Sequence, residues 1–272
     1  MRGAYTYGRI IPPPSGLFNT LQLAATNKIR LSTLTAIIVF PRGMATVASI
    51  DWFPLWLSLR VAALATLFVL SLGTLLAYLL SHKSFRGKQL LDALITLPLV
   101  LPPTVLGYYL LVLVGRASPL GRVYETVVGQ PLVFTWQAAV VAAFLHSAPI
   151  YIKAARAVIE AVDYRYEWAA QSLGASEWKT FWRVTLPLAR RGLTSLATLS
   201  FARSLGDFGV TIMVAGNIPG RTQTLSVAIY DAVESGNGLL ARVLVLIVSV
   251  TALALLWPAS YASRTSRLSS AA

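Results

Sequence analysis

The sequence predicts an all-α integral membrane protein built as one domain, and three observations predict it. Of 272 residues, 56% are hydrophobic and only 12% are charged, whereas a soluble domain has roughly a quarter of its residues charged. The apolar residues fall into long blocks, as helices crossing a bilayer core of about 20 residues require. Lys and Arg collect in alternate connections between the blocks, the asymmetry that positive-inside topology produces. The formal net charge of +13 therefore reflects membrane topology and does not point to nucleic acid. The chain has no cysteine, which excludes disulfides and thiolate metal sites, and its two histidines, His82 and His146, do not suffice for a histidine-rich metal centre. No cofactor is expected.

Five blocks are long enough to span. They run from Trp56 to Leu80, Leu90 to Val114, Val133 to Ile152, Leu193 to Ala215 and Leu239 to Trp257. Each is expected to be helical, because an unpaired backbone group in lipid costs several kcal/mol. The second contains Pro98, Pro102 and Pro103. Proline inside a helix removes a hydrogen bond and clashes with the preceding turn, so this span must kink or break. A packing kink and a gate beside a pathway are both open readings.

The connection after the first span carries Lys83, Arg86 and Lys88. That after the third carries Lys153, Arg156, Arg165, Lys179, Arg183, Arg190 and Arg191, and the tail after the fifth carries Arg264 and Arg267. The opposite connections hold only Arg116, Arg122 and Arg221. The rich side is cytoplasmic by this rule, which places the start of the core outside and the C-terminus inside.

Residues 1–43 do not fit. Arg2, Arg9, Lys28, Arg30 and Arg42 would lie outside, against the charge rule, and the apolar run from Leu31 to Phe40 is too short to span. The expectation is a start at Met44, with residues 44–272 forming the transmembrane domain. A poorly ordered sixth helix and a weak targeting signal are the alternatives for residues 1–43.

The long connection between the third and fourth blocks has its own helical pattern. Asp163 suits an N-cap and Gly174 suits the left-handed residue after a helix end. Tyr166, Ala169, Ala170 and Leu173 share one face, expected to pack on the protein's own spans. Tyr164, Trp168 and Gln171 form the other, and two large aromatics there suggest a protein partner, with a headgroup-level anchor as the alternative. A second short helix is expected from Ser176, with Trp178, Phe181, Trp182 and Thr185 as its apolar face. Its expected stop is Leu186-Pro187.

The run from Glu167 to Gly174, followed by Val184-Thr185-Leu186-Pro187, resembles the EAA loop of ABC importer permeases. In that pattern Glu-Ala-Ala is followed, after three residues, by Gly. Nine residues then lead to an aliphatic residue, one more and Leu-Pro. Ala169, Ala170, Gly174, Val184, Leu186 and Pro187 fall on it. Trp168 stands where the pattern has glutamate, and Glu167 lies one residue earlier. The runs 58–62, 97–109, 202–209 and 215–224 are similar to molybdate permeases in particular.

The resemblance implies a type I importer permease in the inner membrane, with five core transmembrane helices and a cytoplasmic coupling helix. It also implies a homodimer, a separate cytoplasmic ABC ATPase and an extracytoplasmic oxyanion-binding protein. The translocation path would follow the dimer axis, and ATP binding would draw the coupling helices together and open the permease outward. The coupling assignment falls on Tyr164, Glu167, Trp168, Ala169, Ala170, Gln171, Gly174, Val184, Leu186 and Pro187. The expected cargo is molybdate, with tungstate or sulfate as the alternative.

Arg203 and Asp207 lie inside the fourth block, where an ionised side chain costs roughly 2.5 to 3.5 kcal/mol at the bilayer centre. Four residues apart, they are expected to pair on one helix face. With Ser200, Ser204 and Thr211 they form a polar stripe that belongs to a translocation path or a dimer interface, together with Pro102 and Pro103, and not to lipid. Hydroxyls and a partly neutralised arginine suit the passage of a dianion without trapping it.

Other classes fare worse. Asp207-Phe208-Gly209 matches a kinase triplet, but no glycine-rich loop or catalytic-loop motif accompanies it. No Gly-x-x-x-x-Gly-Lys-Ser/Thr phosphate loop occurs anywhere, so a partner must supply ATP hydrolysis and the chain is not expected to be an enzyme. An intramembrane enzyme would need paired carboxylates, and Asp92 and Asp207 are far apart in sequence. A stand-alone channel would have no use for the segment from Gly174 to Pro187.

Overall fold

The computed structural model describes residues 51–268, with side chains described as far as Trp257. The expected start at Met44 and the extension 1–43 lie outside these residues. Within them the chain is helical with no strand.

The first span is one run of 30 residues, Phe53–His82. It comprises α1 (Phe53–Phe68), a five-residue π-helical turn (Val69–Gly73) and α2 (Thr74–His82). Pro54 sits in its first turn, where the missing N–H leaves nothing unsatisfied. At 1.5 Å per residue the run is about 45 Å long. That exceeds the roughly 30 Å hydrocarbon core, so one end projects well clear of it.

The second block breaks, as its prolines require. α3 (Lys88–Val100) ends at Leu101, whose backbone is extended, and α4 (Pro103–Val114) starts afresh with Pro102 as its cap. After a turn capped by Ser118, α5 (Pro119–Val128) is bent 64° from α4. The third block is the 25-residue helix α6 (Trp136–Glu160), capped by Thr135 and carrying Pro149 inside.

Then come α7 (Tyr164–Ser172), the one-turn helix α8 (Glu177–Thr180), a second π-helical turn (Phe181–Thr185) and α9 (Leu186–Leu205). The expected stop at Leu186-Pro187 is not a stop. Pro187 falls in the first turn of α9, and the wide turn just before it lets the chain run on despite the donor that proline lacks. The fourth block is likewise not continuous: α9 ends at Leu205, and α10 (Gly209–Val214) resumes after Gly206–Phe208. α11 (Leu225–Glu234) and α12 (Gly238–Leu268) complete the fold. Among the described residues three runs are apolar and long enough to cross alone, Phe53–His82, Trp136–Glu160 and Gly238–Trp257. The second and fourth predicted spans are broken ones.

α6 is the hub. Alanines 138, 139, 142, 143, 148 and 155 are fully or almost fully buried along it, because small side chains let neighbouring helices approach closely. One core cluster joins Leu57, Val61 and Ala65 of α1 to Leu106 and Leu110 of α4 and to Val210 and Val214 of α10. A second joins Val69, Ala77 and Leu80 to Tyr151, Ile152 and Ile159 of α6 and to Ala189 and Leu193 of α9. The Tyr151 hydroxyl is bonded at 2.7 Å to Thr74 Oγ1 across that second cluster.

Candidate coupling segment and paired helix breaks

The segment between α6 and α9 is built by its caps. Asp163 Oδ1 accepts from Arg165 N at 2.9 Å and starts α7. At the other end Gly174 adopts φ +86°. Its N–H donates to Gln171 O at 2.9 Å, and Ala175 N donates to Ala170 O at 3.0 Å. These two bonds close a Schellman motif, which favours glycine at this position. Ser176 Oγ then accepts from Lys179 N and starts α8.

The inner face of α7 differs from the expected one. Of Tyr166, Ala169, Ala170 and Leu173, only Ala170 is partly covered, and Leu173 is 90% exposed. Glu167 holds the inward position: its carboxylate accepts from Thr185 Oγ1 and lies 2.8 Å from His82 Nε2 at the end of the first span. Helical spacing identifies which residues share a face, but a carboxylate with two partners set the rotation here. Lys83 pairs with Glu177 beside it. Tyr78 stacks on His82 and meets Phe181, both at 4.4 Å between ring centroids.

Outward, Tyr164, Tyr166, Trp168 and Leu173 are exposed, Trp168 to 71%. Gln171, Ala169 and Gly174 are exposed with them. Val184 in the second π-helical turn and Leu186 at the start of α9 are half-buried, and Pro187 is exposed. The result is a short, firmly capped helix presenting an apolar, aromatic surface.

The polar stripe turns toward α6 of the same chain. Ser200, Ser204, Asp207 and Thr211 are buried, and Arg203 is half-buried. Ser204 Oγ donates to Ser147 Oγ at 3.1 Å, and Arg203 Nε donates to the His146 carbonyl at 3.3 Å. Among the described residues no ion pair joins Arg203 to Asp207. The helix ends between them, at Gly206, and the i,i+4 register that would bring them together is lost. Asp207, 4% exposed, accepts instead from Thr211 Oγ1 at 2.6 Å. Its Oδ1 has no hydrogen-bond partner and faces His146 Nδ1 at 3.9 Å.

The two broken spans meet at their breaks. A methyl group on Gly209 would stand 2.6 Å from Pro103 Cβ, and one on Gly107 would stand 2.6 Å from Met213 Cβ. α4 and α10 thus touch backbone to side chain, which only glycine allows. Sequence reading missed His82 and His146 as members of these sites. The signal was there: the chain has two histidines, and each lies opposite a carboxylate.

This fold is that of ABC importer permeases. The chain superposes on a subunit of the MetNI methionine ABC transporter in an inward-facing conformation with a TM-score of 0.59 and 17% identity, covering 78% of this chain and 94% of that one. It superposes on a subunit of a bacterial ABC transporter involved in alginate import with a TM-score of 0.62 and 15% identity, covering 92% and 94%. Residues 69–267 match the family described as the binding-protein-dependent transport system inner membrane component, and the chain belongs to that family.

Within it, the chain is similar to proteins named for molybdenum transport. It is 45% identical over 189 residues to the molybdenum transport system permease protein ModB of Escherichia coli (strain K12), covering 69% of this chain and 82% of that one. It is 43% identical over 179 residues to ModB of Haemophilus influenzae, covering 66% and 78%. Sulfate permease 2 of Chlamydomonas reinhardtii is 35% identical over 185 residues, covering 68% and 50%.

Proposed function

We propose that this chain is the permease subunit of an ATP-driven molybdate importer, acting as a homodimer with two cytoplasmic ATPase subunits and an extracytoplasmic binding protein. One observation carries the reading: the Schellman-capped helix α7, standing outside the spans with Trp168 71% exposed. An aromatic face of this kind on a soluble connection suits insertion into a protein cleft, and the family supplies the ATPase that would own the cleft.

The charge asymmetry supports a cytoplasmic location for α7 and the C-terminus, with the start of the core outside. ATP binding draws the two α7 helices together, and the movement passes into the spans and opens the permease outward. Hydrolysis resets it. The meeting of the two breaks, Pro102-Pro103 against Gly209, is the place in the bundle where backbone is least locked by helix hydrogen bonds. It is therefore the natural site of a path or gate. Arg203 is half-buried next to it. The other stripe residues are buried in the protomer and would line the path only after the bundle opens.

The test is uptake into proteoliposomes holding the permease, its ATPase and its binding protein. Molybdate uptake should require ATP, and unlabelled molybdate should compete better than sulfate. Preferred uptake of sulfate or tungstate would reassign the cargo. Uptake without ATP would indicate a channel.

A further inference from the structure

We infer that His82 is a positioning residue that ties the first span to the coupling segment, and that Glu167 is its counterpart, so Glu167 is not a contact to the ATPase. The inference rests on the importer reading of α7.

Hydrogen-bond contacts hold both ring nitrogens of His82. Ser81 Oγ donates to the Tyr78 carbonyl at 2.9 Å. His82 Nδ1 lies 2.7 Å from the same hydroxyl. His82 Nε2 faces Glu167 Oε2 at 2.8 Å, and a carboxylate only accepts. With Nε2 as the donor to that carboxylate, both ring nitrogens are engaged and the ring is held in one orientation. Glu167 in turn accepts from His82 on one oxygen and from Thr185 on the other, and Thr185 is fully buried where the second π-helical turn meets α9.

One carboxylate thus joins three elements: the end of the first span, α7, and the root of α9. Its side chain is 13% exposed, which leaves little of it for an outside partner. The aromatic stack of His82, Tyr78 and Phe181 backs the imidazole ring. The neighbouring Lys83–Glu177 pair is exposed on both sides, and such pairs contribute little. The charged groups facing the clasp are therefore Glu167 at its centre and Lys83 and Glu177 at its rim. Gly174 and Trp168 place the docking surface; His82 and Glu167 determine how its displacement is passed to the 30-residue first span.

The experiment uses the complete reconstituted transporter. In the His82→Ala variant the ATPase subunit still co-purifies, while molybdate uptake falls roughly 5-fold or more, the lower end of typical coupling effects. His82→Arg, which keeps an N–H donor to Glu167, restores uptake. A His82→Cys/Glu167→Cys pair, in a chain with no native cysteine, is bridged by a short bismaleimide cross-linker in the membrane-inserted protein, since two long side chains meeting at their tips hold the backbones too far apart for a direct disulfide. Uptake within about twofold of wild type in His82→Ala, below that range, overturns the inference. So does failure of His82→Arg to restore uptake, or loss of the ATPase subunit in Glu167→Gln but not in His82→Ala. If the wild-type complex shows no ATP-driven uptake, the importer reading fails and the steering role falls with it. The 82–167 cross-link then still reports whether the contact itself exists.

Discussion

Asp207 shows how far a residue's neighbours in sequence can mislead. Spacing places Arg203 one turn away, and a bilayer makes pairing attractive, yet the break at Gly206 separates them. Arg203 bonds the His146 carbonyl, and Asp207 takes Thr211 and faces the His146 ring. That arrangement makes a prediction different from that of an ion pair. Unfolding of detergent-solubilised variants should show Arg203→Leu and Asp207→Leu to be nearly additive, with a coupling energy under about 0.5 kcal/mol. Thr211→Val should destabilise by about 1–3 kcal/mol, because it leaves a second buried carboxylate oxygen without a donor. That cost should largely vanish in the Asp207→Leu background. Rescue of Arg203→Leu by Asp207→Leu would restore the ion-pair view. The polar stripe itself was legible from helical spacing within the fourth apolar block. Its partners were not, because they depend on where a helix ends, and Gly206 is weak evidence of an end inside an apolar block.

At the scale of the element, α7 was the most readable part of the chain. Its N-cap Asp163 and terminal Gly174 both follow from the physical needs of helix ends, and both stand in the structure as expected. The rotation of α7 did not follow, since a half-buried carboxylate with two partners overrides apolar spacing. Nor did the continuity through Pro187, which depends on a π-helical turn that sequence patterns do not signal. Two outcomes test the element. Gly174→Val should leave membrane insertion intact and abolish uptake. A methyl group there meets nothing within 4 Å, so the penalty is conformational, about 1–2 kcal/mol for a left-handed L-residue, and it misdirects the helix. Gly174→Asn, which tolerates this conformation, should be milder. Trp168→Ala should insert normally and weaken recovery of the ATPase subunit on affinity purification. A photo-crosslinker at position 168 should reach that subunit; crosslinks only to lipid would make the aromatic face a membrane anchor.

For the whole molecule, five apolar blocks and alternating charge were enough to give the membrane bundle, but not its breaks as a matched pair. Those breaks make an argument about assembly. Non-helical backbone at membrane depth is tolerated only where protein covers it or water fills a cavity beside it. In a single chain, Pro102, Pro103 and Thr104 are exposed, and α3 next to them has no buried residue. Val100, Tyr108 and Tyr109 extend the same uncovered surface. Lipid cannot satisfy the carbonyls that the prolines release, so this side is where the proposed dimer would place a second copy or a shared aqueous path. A chain without cysteine makes the test clean. Thr104→Cys should form a disulfide-linked dimer in native membranes, whereas Leu253→Cys, exposed on α12, should stay monomeric. A spin label at position 104 should relax faster with a water-soluble reagent than with oxygen dissolved in the bilayer. A monomeric Thr104→Cys variant whose label responds mainly to oxygen would place the break against lipid, and the proposed dimer would then have to form along another face of the bundle.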